Sequence, residues 1–217
     1  MVVRAKHRTT KNLVAIKYVK TSFEEGENYI FKKVLREIQI LRHLTEMKEN
    51  VHTVKILDLI VSEDMIDIFI VMNYMISDLN NVLCQKGIGF TQKHTTAIIF
   101  RLLCALNFLH KANVMHRDIK PGNILVDHNC NLLLCDFGLA RTSYKVEEPK
   151  KNYSREAMTE KLLKVRSARQ LQKRSLSNHV VSRSYRPPEV IILEPKYRNS
   201  IDVWSAGCIL AELISLS

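Results

Sequence analysis

An α+β fold, with a small β-rich unit followed by a larger and mainly helical one, is predicted by three observations. The first 75 residues hold three apolar, β-branched runs and one helical stripe. From residue 76 onward the long patterns have three-to-four spacing, and the strand-like runs shrink to four residues. Of the 217 residues, 46% are hydrophobic and 25% charged. That is ordinary globular composition, and it excludes collagen, coiled coil or disorder for the chain as a whole.

The elements follow in order. Asn12–Val19 is β-branched and bounded by polar residues, which predicts a strand. Phe31–Leu44 carries apolar residues at 31, 34, 35, 38, 41 and 44, the stripe of a helix. Val54–Val61 and Asp67–Tyr74 read as two further strands. Thr91–Lys111 has apolar residues at 98, 99, 102, 103, 106 and 109 and predicts a long helix. Short strands are expected at Asn123–Val126 and Leu132–Cys135, and an apolar helix at Ile201–Leu216. No internal repeat is visible, and no proline precedes Pro121, so linker signals are weak.

Composition narrows the function classes. No uncharged apolar run reaches the ~18 residues of a membrane span; the richest, Val203–Leu216, is cut by Glu212. The start, Met1-Val2-Val3-Arg4-Ala5-Lys6-His7-Arg8, is basic with no apolar stretch behind it, so no secretory signal is expected. The five cysteines include no Cys-x-x-Cys pair. That argues against a disulfide framework or a zinc site and for a reducing, intracellular setting, cytoplasmic or nuclear. The net charge is +11, but Thr142–Ser175 alone carries ten Lys or Arg against four Glu. Charge is therefore a local feature. The stretch has only Tyr144 and Tyr153 as aromatics, which argues against nucleic acid as a partner.

Three separated motifs carry chemistry. Val14-Ala15-Ile16-Lys17 comes first, then His116-Arg117-Asp118-Ile119-Lys120-Pro121-Gly122-Asn123, then Asp136-Phe137-Gly138. Phosphoryl transfer needs positioning and charge neutralisation more than covalent work. A lysine suits the nucleotide phosphates, a carboxylate suits the incoming hydroxyl, and an Asn with an Asp suits magnesium held against phosphates.

Taken together, in this order, the motifs resemble those of eukaryotic protein kinases. The resemblance implies a bilobal protein-kinase-like fold with a β-rich N-lobe over 1–75 and a mainly helical C-lobe over 76–217, incomplete at both termini. It implies ATP and Mg2+ as cofactors. By the same resemblance Asp118 is the catalytic aspartate and Lys120 the lysine typical of serine/threonine kinases. Asn123 and Asp136 are the metal ligands. Lys17 bridges phosphates, with Glu37 as its ion-pair partner. Met72 is the gatekeeper of the adenine pocket, and backbone groups of Asn73 and Met75 bond the adenine. Leu125 forms the pocket floor and Asp78 reaches the ribose. His116 and Phe137 stack with Leu41 and a residue near Ile56 as an internal spine. Cys135 either borders the pocket or is a small buried hydrophobe. Asp202 holds the backbone of the His116–Arg117 loop.

Tyr185-Arg186-Pro187-Pro188-Glu189 resembles the end of the activation segment in the CMGC group, which contains the mitogen-activated kinases. The implied substrates are proteins with Ser or Thr followed by Pro, with Arg186 shaping the proline pocket and Arg183 nearby in the segment. Ser184 and Pro187 stand where the family usually has Trp and Ala. Ser177-Asn178-His179 replaces Thr-x-Tyr, so an upstream kinase would act on Ser177, and phosphate there would pair with arginines such as Arg117. The chain lacks a G-x-G-x-x-G loop. It is expected to be a fragment of the family domain or a degenerate paralogue acting as a non-catalytic scaffold. The insertion 142–175 has Met158, Leu162 and Val165 at helical spacing, and reads either as a solvated loop or as a basic docking or lipid-binding element.

Overall fold

Strict alternation along Asp67–Asn73 builds the first sheet: Ile68, Ile70 and Met72 face inward and their neighbours are half-buried. A period of two puts one face of a strand on the core. The computed structural model describes residues 1–20, 28–63, 67–85, 89–142, 183–192 and 198–216. These belong to one compact unit formed by Met1–Ser143 and Val180–Ser217. A second unit, Tyr144–His179, lies outside the described residues, and with it Ser177 and nearly all of the basic insertion.

The sheet is antiparallel throughout. Its strands are β1 (Val2–Lys6), β2 (Leu13–Lys20), β3 (Ile56–Val61) and β4 (Asp67–Asn73), in the order β1-β2-β4-β3. β1 is not anticipated by the sequence reading. It is exposed along almost its whole length, so no burial pattern marks it, and pairing with β2 holds it. Helix α1 (Asn28–Glu46) turns Val34, Glu37, Ile38, Ile40, Leu41 and Leu44 inward. Leu35, counted in the expected stripe, is 40% exposed, and Ile40 takes a core place instead.

The segment 74–76 after β4, the hinge, leads through β5 (Ser77–Asp78) into the short α2 (Leu79–Cys84), then to α3 (Gln92–Lys111). Thr91 caps α3: its hydroxyl accepts from the His94 N–H while His94 Nδ1 accepts from the Thr91 N–H. Such a reciprocal box satisfies two otherwise orphaned donors. Ile98, Leu102, Ala105, Leu106 and Leu109 form the buried stripe, whereas Leu103 stays half in solvent. β6 (Val114–Met115) pairs with β9 (Arg141–Thr142); β7 (Ile124–Val126) joins β5 to β8 (Leu132–Leu134). The chain ends in α4 (Pro188–Ile191) and α5 (Ser200–Ser215), the latter packed on α3.

Main-chain bonds tie the first sheet's approach loop to the later strands. Val54 N–H donates to Leu134 O at 3.0 Å and Leu134 N–H to His52 O at 2.9 Å. Asn50, fully buried, fixes that loop by donating to Leu44 O and accepting from the Thr53 N–H. Among the described residues, no helix is long and apolar enough to cross a membrane.

Candidate active site

Lys17 sits on β2, with its side chain on the same face as the inward residues of β4. Its Nζ donates to Glu37 Oε1 at 2.6 Å and to Asp136 Oδ1 at 3.3 Å. Glu37 is 3% exposed because it lies on the core face of α1 beside Val34, Ile38 and Leu41. A carboxylate so placed needs a partner, since an isolated buried charge is costly. Burial alone would push the Lys17 ammonium down; the Glu37 and Asp136 charges outweigh it and hold it above the ordinary lysine value. Burial likewise opposes ionisation of Asp136, but the Lys17 charge and hydrogen bond dominate, so its carboxyl lies below the usual range.

Asp136 has φ of 61°, in the left-handed region, which Asp tolerates better than most residues. The turn that follows, Phe137–Leu139, packs on α1. Phe137 is fully buried, its ring 5.0 Å from that of His116. His116 Nδ1 accepts from the Asp118 N–H at 3.3 Å, which leaves Nε2–H to donate to Cys135 O at 3.0 Å. One neutral tautomer satisfies both bonds. His116 and Phe137 are thus packing residues, as expected, with Leu41 in the same core. Ile56 itself is half-buried, whereas Val54 beside it and Met72 opposite it are buried.

The loop 116–123 is held from below by Asp202 of α5, 1% exposed. Its Oδ1 accepts from the Arg117 N–H at 2.8 Å; its Oδ2 accepts from the His116 N–H at 3.0 Å and bonds His110 Nε2 at 2.9 Å. Arg117 has φ of 68°, a backbone state that costs on the order of 1–3 kcal/mol. The buried carboxylate offsets that strain. On the same loop Lys120 Nζ donates to Asp118 Oδ2 at 2.8 Å. Asn123 Nδ2 donates to Asp118 O at 2.8 Å and to Asp118 Oδ2 at 3.0 Å.

These groups border one cleft of about 510 Å³. Lys17, Glu37, Met72, Asn73, Met75, Asp78, Asn123, Leu125 and Asp136 all line it. Asp118 and Lys120 stand behind the lining and reach it through Asn123. The Asn73 N–H donates to Lys55 O and its Oδ1 accepts from the Lys55 N–H at 2.6 Å. Asp78 caps α2, with Oδ1 bonded to the Asn81 N–H and Oδ2 to the Asn81 amide. Cys135 meets both of its readings: it borders the cleft and packs against the core. Burial first, then the neighbouring Asp136 charge, pushes its thiol up to about 12.

The donor set suits a hard cation held against phosphates. Asn123 spends its amide hydrogens on Asp118, which leaves its Oδ1 available, and Asp136 keeps Oδ2. Magnesium takes one or two carboxylates and completes its shell with phosphates and water. No cluster of three or more His, Cys, Asp or Glu occurs among the described residues, and none is required. The side chain of Arg183 lies outside what is described, whereas Arg186 is half-buried after the Arg183–Tyr185 turn. Tyr185 beside it donates to Glu212 Oε2 at 2.8 Å, and Ser205 Oγ donates to Tyr185 O at 2.8 Å. The sequence reading missed Arg4, Asn81 and His110. Strand parity from Val2 could have found Arg4; the other two carry no local signal.

Known proteins resemble this chain along nearly its whole length. The mitogen-activated protein kinase homolog NTF3 of Nicotiana tabacum is 36% identical over 215 residues, 99% of this chain and 50% of that protein. Mitogen-activated protein kinase 7 of Arabidopsis thaliana is 37% identical over 209 residues, 96% of this chain and 48% of that protein. The chain thus spans about half the length of the curated relatives it matches. Among solved structures, a chain of the yeast RNA Pol II CTD kinase CTDK-1 complex superposes with a TM-score of 0.74 at 26% identity, covering 100% of this chain and 59% of that one. The protein kinase domain family matches residues 1–217, and the chain belongs to that family.

Proposed function

We propose that the chain carries the nucleotide-binding and phosphoryl-transfer site of a serine/threonine protein kinase of the mitogen-activated type, acting in intracellular signalling in the cytoplasm or nucleus. The observation that carries this reading is Lys17 Nζ, 2.6 Å from Glu37 and 3.3 Å from Asp136 in the cleft that Asn123 also lines. An amine between two carboxylates is poised to exchange one of them for a phosphate oxygen. Glu37 then keeps Lys17 aimed as Lys17 binds the α- and β-phosphates of ATP. Met72 closes the back of the adenine pocket, the Asn73 carbonyl and Met75 backbone bond the base, Leu125 supports it, and Asp78 faces the ribose. Asn123 and Asp136 hold Mg2+, which when bound neutralises phosphate charge. Asp118 orients the substrate hydroxyl and takes its proton. Lys120, bonded to Asp118, offsets charge on the transferred group.

Protein substrates with Ser or Thr before Pro are the proposed class, with Arg186 shaping the proline subsite and Ser184 and Pro187 altering it. An upstream kinase acting on Ser177 is the proposed activator. The scaffold reading is not favoured, because every polar group that phosphoryl transfer requires of the segments at Lys17, Asp118 and Asp136 is retained.

The test is peptide phosphorylation by the wild type and by Asp118→Asn. Loss of the proton acceptor should lower kcat by about 10²–10⁴-fold while the Kd for ATP stays within about twofold. A variant that transfers phosphate at the wild-type rate refutes the role of Asp118. Ser-Ala peptides used as well as Ser-Pro ones refute the proline preference.

A further inference from the structure

One cation on the cleft side of the first sheet is left over by the roles above. In the β1/β2 pair Val2 stands opposite Lys17 and Arg4 opposite Ala15; in the β2/β4 pair Ala15 stands opposite Met72. Residues directly opposite in an antiparallel pair project to the same face, and neighbours along a strand alternate. Val2, Lys17, Ala15 and Met72 all line the cleft, so Arg4 is directed into it, and it too is part of the lining. The guanidinium makes no hydrogen bond or ion pair among the described residues, and the residue is exposed.

Its position along the strand decides what it meets. Two residues of strand separate Arg4 from Val2, about 7 Å. Val2 marks the Lys17 end of the cleft, and Arg4 marks the end toward Met72 and the hinge. We propose that Arg4 is a nucleotide-binding residue that lays its guanidinium plane on the purine base. The inference rests on the reading of this cleft as a nucleotide site. Arginine suits the role because its planar, weakly hydrated cation stacks on aromatic faces, whereas lysine is a compact, strongly hydrated point charge. A base with Leu125 beneath it and Ala15 above would gain from Arg4 a contact that the apolar roof does not supply.

The 217-residue chain is titrated calorimetrically with ATP and, separately, with adenosine, as wild type, Arg4→Gln and Arg4→Lys. Arg4→Gln should raise Kd for both ligands by the same factor, roughly two- to fivefold, and Arg4→Lys should recover only part of it. Arg4 is exposed, so both variants should keep the wild-type unfolding midpoint. A loss confined to ATP would make Arg4 a phosphate contact and overturn the proposal, as would full recovery by Arg4→Lys or an unchanged Kd. A wild-type chain that binds neither ligand would overturn the nucleotide reading and Arg4 with it. Wild-type binding with an indifferent Arg4→Gln overturns Arg4 alone.

Discussion

Asp202→Asn removes one oxygen from the carboxylate that holds the catalytic loop, and the structure fixes what that costs. Three donors converge on Asp202: the Arg117 N–H on Oδ1, and the His116 N–H with His110 Nε2 on Oδ2. An asparagine amide has two orientations. One sets its NH2 against two donors and the other against the Arg117 N–H alone, so the second is preferred. It loses one bond to a charged acceptor, worth about 1.5–3 kcal/mol, and weakens two others from charged to neutral strength, about 0.5–1 kcal/mol each. The expected destabilisation is therefore about 2.5–5 kcal/mol, a large share of the ~5–15 kcal/mol typical of a whole domain. Urea unfolding should show a lower midpoint at unchanged m-value, and Tm should fall by roughly 5–20 °C for a chain of this size. The left-handed backbone at Arg117 would lose its restraint, and Asp118 beside it its fixed placement. A loss below about 1 kcal/mol would refute the argument that this carboxylate bears the loop.

Two further outcomes follow from local geometry. A Cβ added at Gly138 would lie 2.5 Å from Lys33 Cε, so Gly138→Ala must displace that side chain. Because the atom displaced is the end of a flexible side chain, Lys33→Ala should relieve only about 0.5 kcal/mol of the Gly138→Ala cost in a double-mutant cycle of unfolding free energies, and strict additivity would contradict the contact. Cys135, whose thiol is pushed up to about 12 by burial and by Asp136, should be alkylated by iodoacetamide more slowly than the exposed Cys84 at pH 8. Its rate should rise about tenfold per pH unit through pH 11, since the thiolate is the nucleophile; a rate independent of pH over that range would count against the burial argument.

The parts of the site that were legible in the sequence are those whose residue type is set by chemistry. Lys17, Asn123 and Asp136 are of the types that charge neutralisation around phosphates needs, their roles and that of Glu37 came through the family resemblance, and all four border one cleft. β4 was legible because its burial alternates residue by residue. Strand β1 was not. It is exposed and charged, and its reason for being a strand lies in β2, eleven or more residues away in every pairing except Ala5↔Val14 and Lys6↔Leu13. Leu35 and Leu103 show the limit of periodicity: each sits at helical spacing from core residues, yet at the margin of the buried arc. The bonds of Asp202 span 85 and 86 residues to the loop backbone, a distance at which no local pattern operates. Its role came only through the family resemblance, and its third partner, His110, was not anticipated.

The buried polar groups explain why fold and site share the same bonds. Glu37, Asn50, His116, Asp118, Asn123 and Asp202 are each less than 9% exposed; Asp118 and Asn123 are bonded to each other, and each of the others to another element or loop. An unsatisfied buried polar group costs about 1–3 kcal/mol, so these residues favour only backbone arrangements that bring their partners into place. Glu37 is buried because the apolar residues around it pack inward, and that same packing delivers its carboxylate to Lys17. Asp202 is buried because α5 packs on α3, and that packing delivers its carboxylate to the loop carrying Asp118. Apolar burial supplies the driving force without direction, whereas the buried carboxylates supply direction, since each accepts only where a donor is presented. The excess of surface charge has no comparable influence, because exposed charges are screened within roughly 8–10 Å.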